Sequence, residues 1–102
     1  MKTYMKYLYC MMHDDLKEAD KLAHYGKEIC PHNKEWSKYF VQHAKVRLEH
    51  FKEVHRKFND LAEEHKKTMP AEMMMNTCWE TSYEHLMEWH THIEMLLKHL
   101  EV

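Results

Sequence analysis

At 102 residues, with one glycine, two prolines, 44% apolar and 31% charged residues, the chain has the length of one domain and a balance that suits amphipathic helices rather than disorder. Fifteen Lys and Arg against seventeen Asp and Glu give a formal charge of −2 with histidine neutral, and no segment gathers basic residues on one face, so no nucleic acid is expected as partner. No run of about 18 apolar residues exists to cross a bilayer, and Met1-Lys2-Thr3-Tyr4-Met5-Lys6 lacks the apolar stretch of a signal peptide, so the expected location is cytoplasmic, with no membrane involved.

Pro31 and Pro70 divide the chain into three segments. In the first, 3–29, the apolar positions Met5, Leu8, Met12, Ala19, Leu22, Gly26 and Ile29 step by four and three, which is a helix face. Asp15 fills the missing step, and Leu16 and Ala23 widen the stripe. Cys30-Pro31-His32-Asn33 ends this helix, because proline disfavours a helical residue before it and Asn33 is a good N-cap for the second helix.

The second segment, 34–67, sets Trp36, Phe40, Val54, Phe58 and Leu61 on one face, widened by Ala44 and Phe51, with His43, Arg47 and His50 in its middle. Thr68-Met69-Pro70 forms the next break, with Pro70 in a first turn where its missing N–H matters little. The third segment, 71–101, turns Met75, Trp79, Leu86, Ile93, Leu97 and Leu100 inward, with Ser82 and His90 on the same stripe.

Connections this short make neighbouring helices antiparallel, so the expected fold is all-α, one domain spanning 1–102, an up-down-up bundle of three long helices. Counted outward from the first turn, Asp15, Arg47 and His50 lie at about the same height; counting from the second turn brings His90 to it. The result is a buried polar layer of Asp15, Arg47, His50 and His90. A carboxylate and two imidazoles from three helices suit a transition metal. Arg47 argues against one, since a permanent guanidinium charge competes with a cation for the same carboxylate. The favoured reading is a structural Asp15–Arg47 pair with His50 and His90 as neutral neighbours and no cofactor, serving register more than net stability.

The stretch Asp15-Leu16-Lys17-Glu18-Ala19, together with Ala44-Lys45-Val46-Arg47-Leu48-Glu49-His50 on the second helix, resembles the first half of a small ferritin-like or rubrerythrin-like bundle over about residues 8 to 58. That resemblance implies a first-helix carboxylate at Asp15 and the histidine of a Glu-x-x-His pair at His50. The pair's glutamate falls on Arg47, Leu22 stands where a tyrosine is often found, and the third helix carries no Glu-x-x-His. The alternative it implies is iron or manganese bound by Asp15, His50 and His90; otherwise the bundle is a relic whose metal site Arg47 has replaced.

Other chemistry finds less support. Cys10, Cys30 and Cys78 are odd in number, share no CxxC spacing and read as reduced thiols. The ten methionines read as core filling. Haem on His43, His50 or His90 meets an interior already filled by Trp36, Phe40, Phe51, Trp79 and Trp89. The eleven histidines read mostly as scattered surface groups, and Glu88 with His92 as a solvated helical pair. No cysteine or serine has the setting of a nucleophile, and no glycine-rich phosphate loop exists.

Tyr7, Cys10 and Tyr25, Val41 and Leu48, and Met73, Met87 and Met95 point away from the assigned seam, and this surplus calls for a second contact surface. A homodimer completing a larger bundle accounts for it. The expected function is therefore a non-catalytic interaction or scaffold module.

Overall fold

The computed structural model describes residues 2–64 and 77–101, with side chains from Tyr4 to Glu64 and from Tyr83 to Glu101. The described residues form an all-α bundle of three helices: α1 (Lys2–Ile29), α2 (Lys34–Glu64) and α3 (Thr77–Leu100). Among the described residues there is no strand, and no helix is long and apolar enough to cross a membrane. The expected helical stretches 65–67 and 71–76, the break at Thr68-Met69-Pro70, and the assignments of Met73, Met75, Cys78, Trp79 and Ser82 lie outside the described residues or side chains.

The α1–α2 turn is closed by capping. Gly26 O accepts from Cys30 N at 3.1 Å, and Ile29 O accepts from His32 N at 2.9 Å and Asn33 N at 2.8 Å. Asn33 Oδ1 then accepts from Trp36 N at 3.1 Å, the side-chain N-cap that its position predicts. Directly above the turn the helices come close. A Cβ on Gly26 would stand 3.0 Å from Val41 Cγ2 and 3.3 Å from Ser37 O, and the buried Ser37 hydroxyl donates to Gly26 O at 2.8 Å.

Up-down-up order is set by the contacts. Ser37 meets Gly26 and Arg47 meets Asp15, so α2 runs against α1. Tyr83 meets His55, Glu94 meets Lys52 and Glu101 meets Lys45, so α3 runs against α2. The core joins Met5, Met12, Leu16, Ala19 and Ala23 of α1 to α2 and α3, where Leu86, Ile93 and Leu97 supply the third side. The molecule is a rod of 52 × 21 × 19 Å, and α3 makes its broader contact with α1 rather than α2.

On α2 the buried stripe is Ser37, Val41, Ala44, Leu48, Phe51, Val54 and Phe58; Ala44, Phe51, Val54 and Phe58 stand on the expected face, Phe40 and Leu61 are half-buried, and Trp36, His43, Arg47 and His50 fall outside the stripe. Val41 and Leu48, expected outside, are 7% and 4% exposed, and Trp36, expected inside, is 54% exposed. The close crossing turns Ser37 and Val41 onto Gly26, and the indole one position before Ser37 lies at the rim. Met87, also expected outside, packs against the core. Tyr7, Cys10, Tyr25 and Met95 are exposed as expected.

Candidate functional site

Asp15 stands on α1 between Met12, Leu16 and Ala19, each fully buried, and is itself 2% exposed. Among the described residues it is the one buried charged side chain. A carboxylate in such a position requires partners, and α2 supplies two from positions three apart, which share a helix face. Arg47 Nη2 reaches Asp15 Oδ1 at 3.1 Å, and His50 Nδ1 reaches Asp15 Oδ2 at 2.5 Å.

Both carboxylate oxygens are thus engaged. The carboxylate accepts from the Nδ1–H of His50. His50 also lines an open groove with Glu49, Glu53, Arg56, Lys57 and Asp60. Arg47 and His50 are 41% and 47% exposed in their side chains, so the expected buried layer is a buried acid held by two half-exposed bases. The Arg47 Nε is itself buried without a hydrogen-bond partner, a local cost of the arrangement.

His90 belongs to a different seam. Its ring lies on Phe51 at 4.7 Å between centroids, and its Nε2 is 3.0 Å from Glu94 Oε1 but without hydrogen-bond geometry. Glu94 also meets Lys52 Nζ at 3.3 Å. Burial raises the Glu94 carboxyl, yet His90 and Lys52 together outweigh it and hold the group below its ordinary value. The hydrogen bond to Glu94 raises the Lys52 ammonium.

Beside it, His55 Nε2 lies 2.8 Å from the Tyr83 hydroxyl and 3.4 Å from Asn59 Nδ2. Burial lowers the His55 imidazole, with the charge of His90 adding to it, and burial raises the Tyr83 phenol. The Lys52–Glu94 and His55–Tyr83 links are absent from the sequence expectation. Counting from a shared contact is the signal that finds the first, because Lys45–Glu101 and Lys52–Glu94 fall on one antiparallel register; His55–Tyr83 falls off it.

Asp15, Arg47 and His50 are therefore brought together, and His90 faces Phe51 and Glu94 instead. Arg47 already engages one oxygen of the Asp15 carboxylate. Among the described residues no group of three or more His, Cys, Asp or Glu side chains is set to hold one. Cys10 and Cys30 are free thiols. No family model, curated protein or solved structure matches this chain.

Proposed function

We propose that this chain is a non-catalytic helical interaction module that acts as a cytoplasmic homodimer, with the Asp15–Arg47–His50 contact as its internal register lock. The observation that carries the reading is a strip on α2. Trp36, Tyr39, His43 and Val46 recur at steps of three and four, and Trp36, Tyr39 and Val46 are 54%, 51% and 60% exposed. That spacing is the seam of a helix-to-helix contact, and it lies beside the buried stripe rather than on it. Tyr39 already packs on His43 at 4.4 Å and Trp36 on Tyr39 at 5.4 Å, so the strip is partly ordered before any partner arrives, which lowers the entropy lost on binding. Tyr4, Tyr7 and Met11 repeat the spacing on α1 and are also exposed.

Size exclusion with light scattering tests the proposal. The wild-type chain should run as a dimer, and Val46→Asp should run as a monomer with unchanged helicity. A wild-type monomer at high concentration would overturn it.

The alternative, iron or manganese on Asp15, His50 and His90 in a ferritin-like relic, draws support from the Asp15–His50 contact. Arg47→Glu separates the two readings. On a lapsed metal site it restores Glu-x-x-His and creates iron or manganese binding; on a structural lock it sets two acids together and destabilises the fold without rescue by metal.

A further inference from the structure

The two exposed strips, Trp36 to Val46 on α2 and Tyr4 to Met11 on α1, share one face of the rod. At about 100° per residue, Tyr4, Tyr7 and Met11 lie on average about 150° around α1 from His13, whose ring meets Trp89 of α3 at 5.6 Å. Trp36, Tyr39, His43 and Val46 lie about as far around α2 from Lys52, which meets Glu94 of α3. Both strips therefore look away from α3, on the side where α1 and α2 lie together and the half-exposed Arg47 and His50 cover Asp15.

Their heights are complementary. Counted from His32 in the turn at about 1.5 Å per residue, the α2 strip occupies about 6 to 21 Å and the α1 strip about 32 to 42 Å, opposite ends of the same face. The Arg47–Asp15 contact stands at about 24 Å, midway between them. Turned end for end about a two-fold axis through that level, a second copy brings Tyr4 level with Trp36, Tyr7 with Tyr39 and Met11 with His43. The same operation sets Asp14 and Glu18 of one copy level with Arg47 and His50 of the other, acids beside bases. A parallel pairing instead sets Tyr4, Tyr7 and Met11 level with the exposed Glu53, Lys57 and Asp60, where the rings would displace water from charged groups.

We propose that a second copy of this chain covers this face in antiparallel orientation, Trp36, Tyr39 and His43 of each copy packing on Tyr4, Tyr7 and Met11 of the other. The inference rests on the homodimer proposed above and fixes its symmetry. The area suffices: on a rod of 52 × 21 × 19 Å one face offers on the order of 1,000 Å² per copy, above the roughly 800 Å² per partner of a standard interface. Rods inclined to one another as packed helices are carry the upper part of α1 across to the lower part of α2 in the other copy. Such a self-complementary contact closes at two copies.

The test uses the full chain with Cys10→Ser and Cys78→Ser, so that a nitroxide on the free Cys30 thiol beside the turn reports the distance between copies by pulsed electron resonance. The antiparallel pair sets the two turns about 48 Å apart, twice the height of the axis; a parallel pair brings them to about the 21 Å width of the rod. Tyr39→Glu and Tyr7→Lys, both at exposed positions, should each raise the dimer dissociation constant by about tenfold or more. An equal mixture of the two should recover most of the lost affinity, because one contact then joins opposite charges and the other is unchanged. Circular dichroism checks that each variant folds. A wild-type monomer would overturn the dimer and this pairing with it. A dimer with the short Cys30–Cys30 distance, or one indifferent to Tyr7→Lys, or no recovery in the mixture, would overturn the pairing and leave the dimer standing.

Discussion

The Asp15 carboxylate is 2% exposed, while the His50 imidazole that it holds at 2.5 Å stands half in solvent. Arg47, on the other oxygen, is 41% exposed in its side chain. The two ends of this contact therefore fail differently. If the acid is neutralised, both bases still reach water; if the bases are removed, the acid is left dry. Asp15→Asn keeps the shape and should cost about 1 kcal/mol. Arg47→Met combined with His50→Leu should cost about 3 kcal/mol, the range for an uncompensated buried charge. Urea unfolding at neutral pH measures both, and equal costs would show that the carboxylate finds water unaided.

The crossing at Gly26 makes a second prediction whose sign is not obvious. Alanine gains about 1 kcal/mol over glycine from helix propensity alone. Here its Cβ meets Val41 Cγ2 at 3.0 Å and Ser37 O at 3.3 Å. Valine is stiff at χ1 and the carbonyl belongs to backbone, so neither yields cheaply. Gly26→Ala should destabilise by about 1–2 kcal/mol as overpacking outweighs propensity. In a Val41→Ala background its cost should shrink, which a double-mutant cycle reads as coupling. Additive costs would mean that the helices separate without strain.

Much of this arrangement is legible in the residues. Steps of four and three locate α1, Asn33 marks the start of α2, and counting from the turn brings Asp15 opposite Arg47 and His50, as found. Two things are not. The α2 face is read as found at Ala44, Phe51, Val54 and Phe58 but misread at Trp36, Val41 and Leu48, because Trp36 weighs heavily in an apolar pattern, whereas the close approach at Gly26 is something hydrophobicity does not register. His90 is placed at the right height but on the wrong seam: level is fixed by rise per residue, whereas azimuth depends on how α3 sits around α1, which no local signal fixes.

Acid should loosen the α2–α3 seam in two separate steps. His55 is held below its ordinary 6.5, so its share of stability is complete above pH 6.5 and is lost as pH falls through the lowered folded value. The geometry agrees: Tyr83 O–H and the Asn59 amide both converge on Nε2, which must remain an acceptor. Glu94 is held below its ordinary 4.5, so its share is intact above pH 4.5 and is lost further into acid. Denaturant midpoints measured against pH should fall in both windows. His55→Gln retains an acceptor for Tyr83 without titrating and should flatten the first fall alone. A variant profile parallel to wild type would remove His55 from the account.

The three helices should not open together. α1 and α2 are bound along a seam that runs from Gly26 and Ser37 to Met5 and Phe58, filled by Leu16, Ala19, Ala44 and Leu48, all buried. α3 enters that core through Leu86, Ile93 and Leu97. Its side-chain links to α2 are the Lys45–Glu101 and Lys52–Glu94 pairs, which water can replace, the His55–Tyr83 bond, which acid weakens, and the Phe51–His90 and Phe58–Tyr83 ring contacts. Local stability tracks buried apolar contact, so native-state hydrogen exchange should find amides of 86–97 less protected than those of 16–23 and 44–51. Leu97→Ala should widen the gap, because it cuts apolar contact from the side of the core that only α3 supplies. Uniform protection across all three helices, retained in Leu97→Ala, would instead make the bundle one cooperative unit.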